Sequence, residues 1–249
     1  MRSGKEGFVL KEFLFALVTF FSHFVQGITG FGSTALAIPF AVNLVDSHVA
    51  IPVLTLLSLV FSAVLSALDR KHIVWREAFK IVLFLAIGAP FGILFFKYLP
   101  REIFKPALAV MMILIALWGL LRLISPRCAA VDLPMWTRLL LLVAGGVAQG
   151  AFGSSGPFVI FYAEAALKNK GEFRTTLTAM WAMINTIVLP QYFLAGVDVS
   201  AVFRLTAVSL PAIFMGMAAG MAAHRRIDQR RFSLIIYTVL LVAGLFNCF

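Results

Sequence analysis

The sequence predicts an all-α, polytopic membrane protein, and three observations carry that prediction. Of its 249 residues 61% are apolar and 13% charged, the apolar residues arrive in runs of spanning length, and the charges gather in the short connectors between runs. A soluble domain is about 45 to 50% apolar and about 25% charged, so a mean hydropathy of +0.98 excludes one. A helix needs about 20 apolar residues to cross a hydrocarbon core of roughly 30 Å. The net charge of +10 would suggest nucleic acid in a soluble chain; in connectors it orients the spans and meets anionic head groups, so no nucleic-acid partner is expected.

Eight apolar segments follow in order: residues 13–45, 49–67, 78–98, 106–124, 138–167, 175–195, 204–223 and 232–248. The first begins after the polar, basic stretch Met1 to Glu12, and no small-residue cleavage site follows, so no removable signal peptide is expected. The second is uninterrupted. The third holds Gly88 and Gly92 and runs into the basic connector Lys97 to Lys105. The fourth ends at a loop, Ser125 to Thr137, with Pro126 and Pro134. The first and fifth, near 30 residues each, are interrupted in the middle by glycines. The sixth carries the amides Asn185 and Gln191; the seventh carries Gly216 and Gly220 and leads into the basic stretch His224 to Arg231. Cys128 and Cys248 have no metal or redox spacing and are expected to be inert thiols.

The two interruptions also reveal a repeat. Gln26-Gly27-Ile28-Thr29-Gly30 and Gln149-Gly150-Ala151-Phe152-Gly153 share the pattern QGxxG at an offset of 123, and Gly88 and Gly92 match Gly216 and Gly220 at an offset of 128. The chain is therefore expected to consist of a first four-segment repeat (1–124), a linker (125–137) and a second repeat (138–249), all in one membrane domain. If all eight segments cross simply, the Lys and Arg residues divide 11 against 10 between the two sides. If segments 1 and 5 enter and return as hairpins of half-helices (13–26 with 34–45, 138–149 with 158–167), the division becomes 14 against 7, a positive-inside bias. The hairpin reading is favoured, and it makes the halves an inverted repeat of the kind that builds many secondary transporters.

Irregular backbone at membrane depth is tolerated where it is buried in protein or lines a wet cavity. Around the first interruption lie Gln26, Gly27, Thr29, Gly30, Gly32, Ser33 and Thr34, with Pro39 beyond; around the second lie Gln149, Gly150, Gly153, Ser154, Ser155 and Gly156, followed by Pro157. Glycine lets main-chain N–H groups approach a ligand, and Ser33, Thr34, Ser154 and Ser155 stand where they could cap the half-helix that follows. Two inward-pointing helix N-termini form an anion site without a charged side chain. The plainer alternative is that these small residues only permit close helix packing. Asn185 and Gln191 are further candidates for oxyanion contacts. His48 and Glu164 are the candidates for ion coupling, although Glu164 stands four residues before Lys168, where an i,i+4 ion pair is the simpler account. His23 flanks the first interruption as well, where a packed histidine is the simpler account.

On Gly27 to Pro39, Gly150 to Pro157, the run Asp46-Ser47-His48-Val49-Ala50 and the paired GxxxG segments at Gly88 and Gly216, the chain resembles the TauE/SafE sulfite exporter family, also called the 4-toluene sulfonate uptake permeases. The resemblance covers nearly the whole chain. It implies movement of small oxyanions, chiefly sulfite, sulfonates or related organic acids, by a four-plus-four helix duplication. The expected function is a secondary carrier or uniporter in the cell inner membrane, with export favoured, and not an enzyme. The expected partners are the small oxyanion, the lipid bilayer and, optionally, further copies of the chain in a homo-oligomer. No cofactor and no metal site are expected. Two other functions compete: a membrane scaffold or accessory subunit without transport, and a rhomboid-like intramembrane serine protease suggested by Gly153-Ser154-Ser155-Gly156. The protease needs a histidine base within reach of the serine.

Overall fold

The computed structural model describes residues 2–29, 32–98, 100–125, 133–167 and 170–223, and residues 234, 237–238, 241–242 and 244–245 near the C-terminus. Gly30, Pro126, Cys128, Lys168, the basic stretch 224–231, most of segment eight and Cys248 lie outside them, as do the side chains of Thr29 and Glu164. The described residues form helices and no strand: α1 (Arg2–Thr29), α2 (Ser33–Leu44), α3 (Ser47–Leu68), α4 (Trp75–Tyr98), α5 (Arg101–Ile124), α6 (Met135–Phe152), α7 (Gly156–Ala166), α8 (Lys170–Leu194) and α9 (Val199–Ala223). A single 3-10 turn, Arg70–His72, joins α3 to α4. Among the described residues five helices, α3, α4, α6, α8 and α9, are long and apolar enough to cross a membrane.

The helical arms around the glycine-rich stretches differ from the sequence expectation. α1 continues through Gln26 and Gly27 to Thr29, and α6 through Gln149 and Gly150 to Phe152, giving 28 and 18 residues where arms of 10 to 14 were expected. The reason is packing. A side chain on Gly150 would strike the Ala89 carbonyl, and one on Gly27 would press on the Gly220 backbone at 3.1 Å, so both glycines serve close approach inside an unbroken helix. The left-handed backbone falls at later glycines, Gly32 (φ 92) and Gly153 (φ 66). Only the returning arms are short: α2 has 12 residues and α7 has 11, and at about 1.5 Å per residue neither reaches across roughly 30 Å of hydrocarbon.

Glycine contacts also fix the helix pairing. A Cβ on Gly88, Gly92 or Gly146 would collide with the carbonyl of Val143, Val147 or Leu85 respectively, so α4 and α6 lie backbone to backbone and run parallel. In the same way Gly216 abuts the Phe20 carbonyl and Gly220 the Phe24 carbonyl, and Glu12 meets Arg204 at 3.7 Å, so α1 and α9 run parallel. Small residues at such crossings are the usual device of membrane helices. α3 runs against α8. At one end the His48 ring packs on Phe96 (4.5 Å) and Phe96 on Tyr192 (4.8 Å); at the other, Thr175 Oγ1 donates to the His72 carbonyl and Val74 N–H to Thr176 Oγ1, both at 2.9 Å.

The outer surface matches lipid. α4 exposes Phe79, Leu83, Ile87, Phe91 and Leu94 along one stripe and buries Ala78, Ile81, Leu85, Gly88, Ala89 and Gly92 on the opposite one. Such an apolar exterior is stable only where the solvent is hydrocarbon.

Candidate functional site between two short helices

α2 begins at Gly32, whose left-handed backbone turns the chain without a Cβ penalty, and no side chain caps it. Its first intrahelical bond is from Leu36 N–H to the Gly32 carbonyl at 3.1 Å, so the N–H groups of Ser33, Thr34 and Ala35 precede the ladder. α7 begins at Ser155 with Pro157 in its first turn, again without a side-chain cap. The expected capping by Ser33, Thr34, Ser154 and Ser155 is thus absent, and for Ser155 the cause is visible: its hydroxyl donates to Gln149 Oε1 at 2.9 Å.

These two helix starts converge on one cavity of about 60 Å³. A water needs about 10 to 15 Å³ of such space, so the cavity has room for a small oxyanion. The first hairpin supplies Gln26, Gly32, Ser33 and Thr34 to its wall; the second supplies Gln149, Gly153, Ser154, Ser155 and Gly156; α8 supplies Asn185. Ser58, Trp118, Trp181 and Tyr237 complete it and were not anticipated. Tryptophans favour the membrane interfaces, so Trp181 in mid-span was the available signal. Ser58 had a weaker one, a serine spacing of four with Ser62 inside an apolar run.

The two glutamines differ sharply. Gln149 is held throughout: Nε2 donates to Asn185 Oδ1 at 2.9 Å, Oε1 accepts from Ser155, and Asn185 Nδ2 donates on to Ser58 Oγ at 3.2 Å. Its carbonyl and that of Gly150 both accept from Tyr192 OH, at 3.1 and 2.9 Å, which satisfies acceptors at the end of α6. Gln26 is equally buried, yet Oε1 has no partner, and neither has Trp181 Nε1. Buried polar groups are rarely left so. Two unengaged groups on one cavity wall are the mark of a place for a ligand.

The remaining candidates lie elsewhere. Gly27 and Gly150 pack against α9 and α4. Gln191 donates to the Ile187 carbonyl at 3.0 Å, one turn back on its own helix. His48 stacks on Phe96 at the start of α3, with its N–H held by Asp46 Oδ1 at 2.9 Å. The far end of α7 is anchored by Tyr162 OH, which donates to Glu77 Oε2 at 2.7 Å.

A sequence profile of the family described as "Sulfite exporter TauE/SafE" matches residues 15–247. A protein of Comamonas testosteroni named "Probable inner membrane transporter protein TsaS" is 27% identical over 179 residues, 72% of this chain and 74% of that protein. No solved structure matches.

Proposed function

We propose, from the premise that the chain belongs to the sulfite exporter TauE/SafE family of membrane transporters, that it carries a small oxyanion such as sulfite, a sulfonate or a sulfo-organic acid, bound between the N-termini of α2 and α7. One observation carries this reading: two uncapped helix starts and the unpaired Trp181 N–H donor meet at one cavity, with Gln26 on its wall. Free N–H groups and the positive helix end suit negative charge, and the absence of a fixed cation there suits a substrate that must also leave.

The two halves, 1–124 and 138–249, are then inverted repeats about this cavity. In support, α1, α3 and α9 run one way and α4, α6 and α8 the other, while α1 pairs with α9 as α6 pairs with α4. Ser58 and Asn185, 127 residues apart in sequence, meet at the crossing of α3 and α8. Transporter sites commonly sit where such repeats join. The hairpin reading of the sequence assigns 14 of the 21 Lys and Arg residues to one side, which the positive-inside bias would make the cytoplasmic one. An uncoupled anion leaving an inside-negative cell gains about 2.3 kcal/mol per charge per 100 mV, so export needs no further energy source.

The test is ligand-induced stabilisation of purified protein by sulfite, sulfate, sulfoacetate and acetate with chloride as control, repeated with Gln26→Met. Ligand at 100 times its Kd should add about 2.7 kcal/mol. Selective stabilisation by a sulfur oxyanion, weakened in the variant, is the expected result. A folded protein that none of these anions stabilises would sink the anion site.

A further inference from the structure

The imidazole of His23 stands one helical turn before Gln26 on α1 and is 1% exposed. Its Nδ1 lies 2.9 Å from the Thr19 carbonyl, an oxygen that can only accept, so the ring donates there and holds its lone pair on Nε2. Nε2 is buried and has no hydrogen-bond partner. The ring leans on Phe61 of α3 at 5.4 Å between centroids; the next residue, Ser62, has its Oγ likewise buried without a partner, and Ser58, four positions before Ser62, lines the cavity. A basic nitrogen is therefore kept empty in the protein interior, next to the residue that lines the anion cavity.

No built-in counter-charge accompanies it among the described residues of the elements around it. α2 contains no ionisable residue, α3 contains only His48, engaged at its opposite end, and α9 contains only Arg204. Arg204 meets Glu12, which stands 11 residues before His23 on α1 together with Lys11, about 16 Å away along the helix. The basic stretch 224–231 lies outside the described residues. An isolated charge in such surroundings is strongly unfavourable, whereas an imidazolium and an anion held a turn apart offset one another.

We infer that His23 is a proton-binding site coupled to the anion cavity: the proton enters on Nε2 when an anion occupies the cavity and leaves with it. This rests on the anion-carrying reading above and deepens it. On the loading side a hydronium O–H bond breaks as the Nε2–H bond forms, leaving water, and on the other side the reverse transfer returns the proton to water. The loaded unit has one negative charge fewer than the anion alone, so the pH gradient joins the membrane potential in setting direction. An inward proton gradient then drives uptake.

Proteoliposomes of the full chain are tested with labelled sulfate and sulfoacetate, both fully ionised near neutral pH, and a pH-sensitive dye inside. Anion exchange at equal pH reports the carrier itself. With potassium and valinomycin holding the membrane potential at zero, an acid-outside step of one unit should drive about tenfold accumulation per coupled proton, with internal acidification. His23→Gln should lose both accumulation and acidification, while any exchange left at equal pH shows a raised KM for the anion. Wild type that exchanges neither anion overturns the carrier reading and this one with it; wild type that exchanges anion but moves no proton overturns this one alone, as does His23→Gln that accumulates like wild type. If His23→Gln does not insert, 15N-imidazole spectra of a variant with His48, His72 and His224 replaced by Gln decide. Conversion of the neutral Nδ1–H ring to imidazolium on adding sulfate supports the site, and a ring that stays neutral overturns it.

Discussion

Gln26 and Gln149 occupy matching positions in the sequence but not in chemistry. Gln149 is a structural strut, with amide, carbonyl and neighbouring Ser155 all engaged, whereas Gln26 and Trp181 face the cavity with atoms unpaired. The difference decides which substitutions are informative. Ser155→Ala removes the donor to Gln149 Oε1 and leaves a buried oxygen unpaired, a loss of about 1 to 3 kcal/mol in stability, so thermal unfolding without any ligand should already move. Trp181→Phe removes an N–H that bonds nothing in the empty protein; ligand-free stability should hold while the Kd of the stabilising anion rises roughly ten- to a hundredfold, the equivalent of about 1.5 to 3 kcal/mol for a hydrogen bond to a charge. An unchanged Kd would remove Trp181 from the site. The Ser155 hydroxyl is tied to an amide rather than to an imidazole, so none of its bonds among the described residues activates it as a nucleophile. A fluorophosphonate probe should leave Ser155 unmodified, and labelling there would revive the protease reading. The sequence made Gln26, Gln149, Asn185 and the serines visible through polarity at membrane depth. It could not separate strut from ligand, because that depends on which hydrogen bonds the fold has already used.

Glycine does two different things in these helices, and the sequence writes both with the same letter. Gly88, Gly92, Gly146 and Gly150 bring α4 and α6 into backbone contact, and Gly27, Gly216 and Gly220 do so for α1 and α9; Gly32 and Gly153 supply left-handed turns. The pattern QGxxG therefore lies close to the left-handed glycines Gly32 and Gly153, but its first glycine, Gly27 or Gly150, packs inside a continuous helix. The alternative weighed from sequence, that small residues only permit packing, fits Gly27 and Gly150 and not Gly153, while Gly30 lies outside the described residues. The two roles respond oppositely to substitution. Gly146→Val drives a side chain into the Leu85 carbonyl, and overpacking of this kind costs about 1 to 3 kcal/mol or more; the apparent melting temperature in detergent should fall and aggregated protein should appear. Gly32→Ala meets open space within 4 Å, so only backbone strain of about 1 to 2 kcal/mol opposes it, and Gly32→Asn, which tolerates that conformation, should recover part of the loss. If Gly146→Val were the milder of the two, α4 and α6 would not touch as described.

The proposed repeat rests on the offset of its glycines in the sequence, whereas the pairing of α4 with α6 and of α1 with α9 is visible only in the fold. Nothing in a one-dimensional repeat says that the third segment of one half lies on the first segment of the other; parallel backbone contact between α4 and α6, and between α1 and α9, is a property of the folded chain. Those contacts tie helices before residue 125 to helices after residue 137. The fold also makes a prediction about sidedness that no single helix makes. The end of α3 and the start of α8 meet through Thr175 and Thr176, while the start of α3 and the end of α8 meet through Phe96. In a background with Cys128 and Cys248 replaced by Ser, Lys71→Cys and Glu172→Cys should therefore share one side of the membrane, and Ser47→Cys and Asp198→Cys the other. The basic face turns inward by the positive-inside bias. A membrane-impermeant maleimide added to intact cells should then label positions 47 and 198 and spare 71 and 172 until the membrane is opened. Labelling of 71 and 172 in intact cells, with 47 and 198 protected, would keep the inverted pairing and reverse its orientation. Labelling that divides 71 from 172 would break the pairing itself, because two positions joined through a shared loop contact cannot lie on opposite sides of a bilayer.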